Sequence, residues 1–342
     1  MPGRVVVLVS SPRVAPGLLS REAWSALERA DTVHARRGEP QAAAVVEAGL
    51  TVTLHGADGS LGADGADDVQ GTGDPAALAR ELVSAASADD AGDVVWVGSS
   101  DGDPGLNEAV AVEVTRLPEP PEVELLVASW DVPGARLLDV VAVMDRLRSP
   151  GGCPWDAEQT HETLVPYLLE EAHEAIEAIE SGDRVHMEEE LGDLLLQVAF
   201  HARVAQEHPE APFDVDDVAG TLVEKLVRRH PHVFGDVEVD GASGVEANWE
   251  SIKATEKAGR THVLDGIPVS MPALARAQKA VTRLDRAGRG EVTDAVLASG
   301  TGQPDLGRRL LALVREARAA GVDAESALRQ TLVELTTAAD PR

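Results

Sequence analysis

The sequence contains very little cysteine and few aromatic residues. Among 342 residues there is one cysteine, Cys153, and aromatic residues make up 3%. A lone cysteine forms neither an intramolecular disulfide nor a cysteine cluster for zinc, and this usage fits a reducing compartment, so a cytoplasmic location is expected. Cys153 itself is expected to be structural, because no motif known to activate a thiol surrounds it.

Long apolar runs and positive charge are also scarce. The N-terminal run VVVLV is too short to cross a bilayer, no signal-peptide cleavage pattern follows it, and no later stretch approaches the roughly 18 apolar residues of a membrane span. A total of 30 Lys and Arg against 59 Asp and Glu gives a net charge of -29. Such a charge opposes attraction to a phosphate backbone. Neither a membrane nor a nucleic acid is therefore expected as a partner.

Two kinds of pattern divide the chain, which we predict to be multidomain. Residues 1–125 alternate short β-like runs, VVVLV and DVVWVG, with helical stretches such as REAWSALERA, and this alternation predicts a small α/β domain. The Gly- and Asp-rich segment 56–74 is expected to be an acidic loop, and the Pro-rich stretch 116–124 marks the boundary. An all-α domain is predicted over 130–262, followed by a helical C-terminal region over 263–342.

Helical periodicity dominates the all-α domain. It predicts a helix that stops at SPGG, a second helix from Thr163 or Pro166 (with the proline in the first turn) to Glu180, a third that ends near Gln206, and a fourth over VDDVAGTLVEKLVRRH. Between the second and third helices, SGD predicts a tight turn. The residues expected to face the core are Leu168, Ala172, Ile176, Ile179, Leu191, Leu194, Leu195, Val198 and Ala202.

Ten carboxylates crowd the second and third predicted helices and the turn between them. Counted from Gly182, Glu174 is as distant as Glu190, and Glu171 is as distant as Asp193. In an antiparallel hairpin these pairs are level, so four carboxylates are predicted to converge. Like charges about 4 Å apart repel by about 4 kcal/mol per pair at an effective dielectric of 20, which favours a bound cation over a merely solvated acidic face. Oxygen ligands indicate Mg²⁺ or Mn²⁺ rather than zinc.

Basic and aromatic residues follow the acidic hairpin. Lys225 and Arg229 are four apart on the fourth predicted helix, with Arg228 beside them, and Trp249 precedes Lys253 by four. Cations near a magnesium site are suited to phosphate. Together with the carboxylates, these residues predict a nucleoside polyphosphate site.

Several ordered motifs resemble the MazG family of nucleoside triphosphate pyrophosphohydrolases. The motifs are RLRSPGGCPWDAEQTHETLVPYLLEEAHEAIEAI, EELGDLLLQVAFHA, KLVRRHPHVFGD, NWESIKATEK and LDGIPVSMPALARAQKA. They extend over about residues 130–285. The acidic pattern of the family is matched by Glu170, Glu171, Glu174, Glu190 and Asp193.

The resemblance implies an all-α enzyme that hydrolyses NTP or dNTP to the monophosphate and pyrophosphate with Mg²⁺, or Mn²⁺ as a substitute, and clears damaged or surplus nucleotides. Glu170 would orient the attacking water or a group near the metal, or face solvent. The metal ligands implied are Glu171, Glu174, Glu190 and Asp193. The substrate-binding residues implied are Lys225, Arg228, Arg229 and Lys253 for phosphate and Trp249 for the nucleotide.

Two regions depart from the family pattern. Leu306–Arg318 resembles Leu191–Arg203 as a second copy, but Arg308 stands where the first copy has Asp193, so activity is expected from the first copy alone. Because the second copy is degenerate, the helices that pack against the first copy are expected to come from a second chain, in a homodimer or higher oligomer. The N-terminal region resembles a shortened tetrapyrrole methylase module, in ADTVHA and GSSDGDPGL, without a Gly-rich S-adenosylmethionine loop, and is expected to be structural or vestigial.

Two alternatives stay open from the sequence. Glu170 and His173 form one Glu-x-x-His of the kind found in di-iron or di-manganese carboxylate bundles, although the second acidic helix has Asp193 where a matching histidine is needed. The other alternative is a MazG-like domain that binds nucleotides or a protein without catalysis.

Overall fold

The chain divides into two compact units, Met1–Leu222 and Val223–Arg342. A computed structural model describes four stretches of it, residues 3–56, 74–256, 262–299 and 305–339. The predicted acidic loop lies outside the described residues except at its two ends.

The first part of unit one is a five-stranded sheet in which all neighbouring strands are parallel. The strand order is β3-β2-β4-β1-β5. The strands are β1 (Arg4–Val9), β2 (Thr32–Arg36), β3 (Val52–His55), β4 (Val94–Val97) and β5 (Glu122–Val127). Parallel pairing requires crossover connections, and the helices between the strands are α1 (Arg21–Arg29), α2 (Pro40–Glu47), α3 (Pro75–Ala86) and α4 (Leu106–Val114). The predicted α/β region is therefore present.

Both faces of the sheet are covered, because alternate strand residues point to opposite sides. Val6 and Leu8 pack in the cluster that contains Leu27 of α1. Val5 and Val7 pack in the cluster that contains Leu82 of α3. Burial on both faces explains why these strands are continuous apolar runs rather than alternating ones.

The C-terminal edge of this region differs from the prediction. The Pro-rich stretch 116–124 was expected to be a boundary, but β5 begins within it at Glu122 and pairs with β1 up to Val127. The prolines of this stretch come before β5. Because they lie outside the strand, their missing N–H groups remove no hydrogen bond from the sheet.

Helices make up the rest of unit one. Their core contains the buried residues Met144, Leu164, Ala199 and Phe200. The helices are α5 (Arg136–Arg148), α6 (Pro154–Glu158), α7 (His161–Ser181) and α8 (Arg184–Ala205), followed by α9 (Val215–Arg229), which begins in unit one and ends in unit two. All four predicted helices are present, and α6 is an additional short one.

The predicted core stripe of the α7–α8 hairpin is only partly buried. Ala202 is buried as expected, whereas Leu191 is 50% exposed. The hairpin meets α5 through a different set of side chains, including Leu164 and Phe200, so most of the stripe is left uncovered by the described residues of unit one. The exposed members are Leu168, Ile179, Leu191, Leu195 and Val198.

The regular secondary structure in the described part of unit two is helical. Val281, Leu284 and Val314 are buried in it. Its helices are α10 (Pro231–Phe234), α11 (Gly241–Glu256), α12 (Ala273–Arg286), α13 (Gly290–Ala298), α14 (Leu306–Ala319) and α15 (Ala324–Ala339). Across the described stretches of both units, no helix has the length and apolarity needed to cross a membrane.

Candidate metal and substrate site

The first acidic helix begins earlier than predicted. Thr160 caps α7: its hydroxyl accepts a hydrogen bond from the Thr163 N–H, and the Thr163 hydroxyl accepts one from the Thr160 N–H. This reciprocal cap starts the helix at His161. Pro166 therefore lies in the second turn instead of the first, where it deprives the Glu162 carbonyl of its usual donor.

The turn between α7 and α8 fixes the hairpin. Gly182 ends α7 with φ +75°, a left-handed conformation that glycine adopts without steric cost. Asp183 then caps α8, since its carboxylate accepts hydrogen bonds from the N–H groups of Val185 at 3.0 Å and His186 at 3.2 Å. The predicted tight turn is thus present.

Three of the four predicted metal ligands form a compact group. One carboxylate oxygen each from Glu171, Glu174 and Glu190 lies within 4.8 Å of the others. Glu171 is half-buried, Glu174 is exposed and Glu190 is 7% exposed. Asp193 is half-buried and is not a member of this group. The equal spacing about the turn does bring acids of both helices together.

The charge of Asp193 nevertheless acts on the group. The pKa of Glu171 is raised by burial first, and then by the charges of Asp193, Glu174, Glu190 and Glu170 in decreasing order. A raised carboxyl pKa means that the charged form is disfavoured. Among the neighbouring charges, that of Asp193, the residue level with Glu171 in the hairpin, raises the pKa of Glu171 most.

Glu190 combines burial with an unsatisfied oxygen. Its Oε1 lies 2.9 Å from Nε2 of His186, one turn earlier on α8. Its Oε2 is buried and has no hydrogen-bond partner among the described residues. A buried carboxylate oxygen without a partner carries a desolvation cost that a cation removes. His186 was not predicted, although its i,i+4 spacing from Glu190 could have identified it.

The donor set fits a hard divalent cation. A single Mg²⁺ with bonds of about 2.0–2.1 Å holds its ligands roughly 3–4 Å apart, and the carboxylate oxygens of Glu171, Glu174 and Glu190 lie within 4.8 Å of one another. Carboxylate oxygens are the ligands that Mg²⁺ and Mn²⁺ prefer. His173 is exposed and, like Glu170, is not a member of the group. The histidine of the Glu-x-x-His motif on which the redox alternative depends is therefore outside the grouped acids.

The predicted substrate residues lie on α9 and α11. Lys253 Nζ is 4.3 Å from the centroid of the Trp249 ring, and the Arg229 guanidinium carbon is 5.5 Å from that centroid. These are cation–π distances. Lys225 is half-buried and Arg228 is exposed. All five substrate residues belong to unit two, and the four acids belong to unit one.

Glu256 joins the two arginines and was not predicted. Arg228 Nε lies 2.7 Å from one Glu256 oxygen, and an Arg229 terminal nitrogen lies 2.6 Å from the other. Hydrogen bonds from Arg229 and then Arg228 lower the pKa of Glu256 to about 2. The contacts join residues 27 and 28 positions apart in the chain, so helical spacing gave no signal for them.

The helical region matches known proteins. Residues 159–234 match the MazG nucleotide pyrophosphohydrolase domain, a span that contains all the predicted acids but ends before Trp249. An uncharacterized 26.1 kDa protein of Streptomyces cacaoi is 52% identical over 234 residues, 68% of this chain and 93% of that protein. A nucleoside triphosphate pyrophosphohydrolase of Mycolicibacterium smegmatis is 42% identical over 65% of this chain and 66% of its own length.

The corresponding Escherichia coli K12 enzyme, also a nucleoside triphosphate pyrophosphohydrolase, is 42% identical over 56% of this chain and 81% of its own length. The chain belongs to the MazG family of nucleoside triphosphate pyrophosphohydrolases. This confirms the predicted family and the predicted class of enzyme, a hydrolase of acid anhydrides.

Proposed function

We propose that this chain hydrolyses NTP and dNTP to the monophosphate and pyrophosphate in a reaction that depends on Mg²⁺. The observation that best supports the Mg²⁺ dependence is the group of Glu171, Glu174 and Glu190. Within it, Glu190 has a buried oxygen without a hydrogen-bond partner among the described residues. A structural acidic surface has no need of such an oxygen. Membership of the MazG family supports the same reaction.

The four acids have distinct proposed roles. Glu171, Glu174 and Glu190 would hold the metal, with Asp193 as the fourth ligand. Bound there, Mg²⁺ would supply charge neutralisation for the phosphates and an acidified water. Glu190 is held in place by His186 at 2.9 Å. Glu170 is exposed beside the ligands and orients the attacking water.

Basic and aromatic residues of α9 and α11 are the proposed substrate contacts. Lys225, Arg229 and Lys253 bind phosphate oxygens, and Trp249 contacts the nucleotide. Arg228 and Arg229 already bind the carboxylate of Glu256, an anion whose geometry resembles that of phosphate in offering paired oxygens to a guanidinium. Hydrolysis adds water across the bond between the α- and β-phosphates and releases pyrophosphate.

The product analysis tests the position of cleavage. The purified chain is incubated with a panel of NTPs and dNTPs plus Mg²⁺, and products are resolved by phosphorus NMR. Monophosphate with pyrophosphate is expected. Diphosphate with orthophosphate contradicts attack at the α-phosphorus, and nucleotide binding without turnover under Mg²⁺ or Mn²⁺ favours the binding-protein alternative. The relative rates across the panel test the proposed role in removing surplus or damaged nucleotides.

A second copy of the chain is proposed to cover the exposed stripe of the α7–α8 hairpin. Leu191 and Val198 are about half exposed, at 50% and 46%, on the same helix as Glu190. Contiguous exposed apolar side chains on a helix mark an association surface. A homodimer or higher oligomer follows. The expected cytoplasmic location stays a prediction.

A further inference from the structure

A second group of metal-binding residue types lies in the α/β region, far along the chain from the acidic hairpin. His34 on β2, His55 at the end of β3 and Glu81 on α3 each offer one ligand atom within 4.8 Å of the others. Neither the MazG match, which covers residues 159–234, nor the proposed reaction uses them.

The two histidines are brought together by the sheet. Strands β2 and β3 pair in parallel, with His34 opposite Thr53 and Arg36 opposite His55. The two rings are stacked with centroids 5.2 Å apart, and Nδ1 of His34 lies 2.9 Å from Nε2 of His55. Ligand atoms of a four-coordinate site with metal–nitrogen bonds of about 2.0 Å are roughly 3.3 Å apart. The two nitrogens now share a hydrogen bond, so a metal would replace that bond and move them slightly apart.

His34 is already oriented in the way that metal-bound histidines are. It is 6% exposed, and its other ring nitrogen, Nε2, lies 3.0 Å from the hydroxyl of Thr32. A hydrogen bond at one ring nitrogen fixes the tautomer and leaves the lone pair on the other for a metal. A buried strand position opposite Trp96 would be filled more favourably by an apolar residue if only packing mattered.

Room for further ligands exists next to the group. A cavity of about 190 Å³ is lined by His55, Glu81, Arg36, Trp96 and Asp103, among others. The carboxylate of Asp103 is held there by hydrogen bonds from the Trp96 indole at 2.8 Å and the Ser99 N–H at 2.9 Å. A metal bound by His55 and Glu81 would keep an open position toward this cavity, as zinc sites with three protein ligands do.

The geometry points to a site for one divalent transition-metal ion, with Zn²⁺ the best match, bound by His34, His55 and Glu81. Two imidazoles and one carboxylate form a donor set that zinc accepts and that magnesium, which prefers oxygen alone, does not. The site is thus chemically distinct from the acidic hairpin. It gives the α/β region a binding function in place of the expected structural or vestigial one.

Zinc binding to the full chain tests this site. The protein is stripped with a chelator, dialysed into excess Mg²⁺ so that the carboxylate site is saturated, and titrated with Zn²⁺ by calorimetry. One zinc per chain is expected. Co²⁺ in place of Zn²⁺ should give the intense visible bands of a low-coordinate site with nitrogen ligands, which an oxygen-only site does not produce.

Variants assign the ligands. His55→Ala and Glu81→Gln, the latter at an exposed residue, should each weaken zinc binding about tenfold or more. Thr32→Val should weaken it about tenfold, because the Thr32 hydroxyl orients His34. His208→Ala, at an exposed histidine outside the group, is the matched control and should bind as the wild type does. Circular dichroism checks that each variant folds. The site is overturned if the wild type takes up no zinc. It is also overturned if His55→Ala and Glu81→Gln take up zinc as well as the wild type does.

Discussion

The Nε2 atom of His186 lies 2.9 Å from Oε1 of Glu190, one helical turn away on α8. This contact holds one oxygen of a buried carboxylate, while the other, Oε2, is without a hydrogen-bond partner among the described residues. Groups that orient metal ligands typically contribute 10–100-fold in metal affinity or activity. We therefore expect His186→Ala to raise the Mg²⁺ concentration for half-maximal activity about tenfold, as measured by initial rates across a Mg²⁺ titration.

His186→Gln provides a conservative test of the same contact, because an amide can still donate to Glu190. It should recover part of the lost Mg²⁺ affinity. Glu189→Gln, at an exposed acid on the same helix, is the control and should follow the wild-type curve. A His186→Ala enzyme with an unchanged Mg²⁺ requirement would remove the positioning role.

Asp193→Asn tests whether the fourth acid belongs to the metal site. The substitution removes a charge that raises the pKa of Glu171 and replaces a carboxylate ligand with a weaker amide. We expect turnover to fall by about 100-fold or more, because metal sites supply several kcal/mol of charge stabilisation, with helical content unchanged by circular dichroism. Substantial turnover by this variant would mean that the three-residue group acts without Asp193.

Local patterns in the sequence account well for the hairpin. The turn at Gly182 and the equal spacing of Glu174 and Glu190 from it bring acids from both helices together, because helix spacing is regular. The parallel sheet follows in the same way from alternating strands and helices. Pro166 shows the limit of such reasoning, since the cap at Thr160 sets the start of α7 and a proline alone does not.

Contacts between distant residues could not be predicted. The bond of Arg229 to Glu256 joins two helices separated by 27 positions, and no periodic pattern encodes such a pair. The same is true of His34 and His55, which meet only because their strands are neighbours in the sheet. Helical spacing also predicts that Leu191 faces an apolar environment. It does not show whether the residues that bury Leu191 belong to the same chain or to a second one.

The raised pKa of Glu171 predicts how the stability of the metal-free protein varies with pH. Burial and neighbouring acids raise this pKa above its usual 4.5. The folded state then binds the proton more tightly than the unfolded state, so the associated stability is present below about pH 4.5 and is lost as the pH rises through the folded pKa. In chelator, Glu171→Gln should flatten this fall and be the more stable protein at pH 7, as measured by urea unfolding.

Glu177→Gln is the matched control for this measurement, because Glu177 is an exposed acid on the same helix outside the metal group. It should keep the wild-type pH dependence. Saturating Mg²⁺ should stabilise the wild type and the control by ligand linkage and have a much smaller effect on Glu171→Gln. Identical pH profiles for Glu171→Gln and Glu177→Gln would show that Glu171 carries no excess repulsion.

Lys253 tests the proposed substrate contacts of unit two. Its ammonium lies 4.3 Å from the ring centroid of Trp249, which orients the side chain. If it binds a phosphate oxygen, Lys253→Gln should raise KM for NTP about tenfold, since a hydrogen bond to a charged group contributes about 1.5–3 kcal/mol. Lys279→Gln, at an exposed lysine on α12, should leave KM unchanged. An equal effect from both lysines would indicate a general charge effect.

Leu191 tests the proposed association surface of the hairpin. It is 50% exposed although helical spacing puts it on the apolar stripe, and a second copy of the chain would bury it. Leu191→Glu places a charge in that interface, where an unpaired buried charge is strongly unfavourable, so light scattering after size exclusion should show a shift from oligomer to monomer. Val112→Glu, at a 51% exposed position on α4, is the matched control and should keep the wild-type mass. A wild-type chain that is already monomeric at micromolar concentration would contradict the interface. The acidic site would then have to function with the apolar stripe of the hairpin exposed to water.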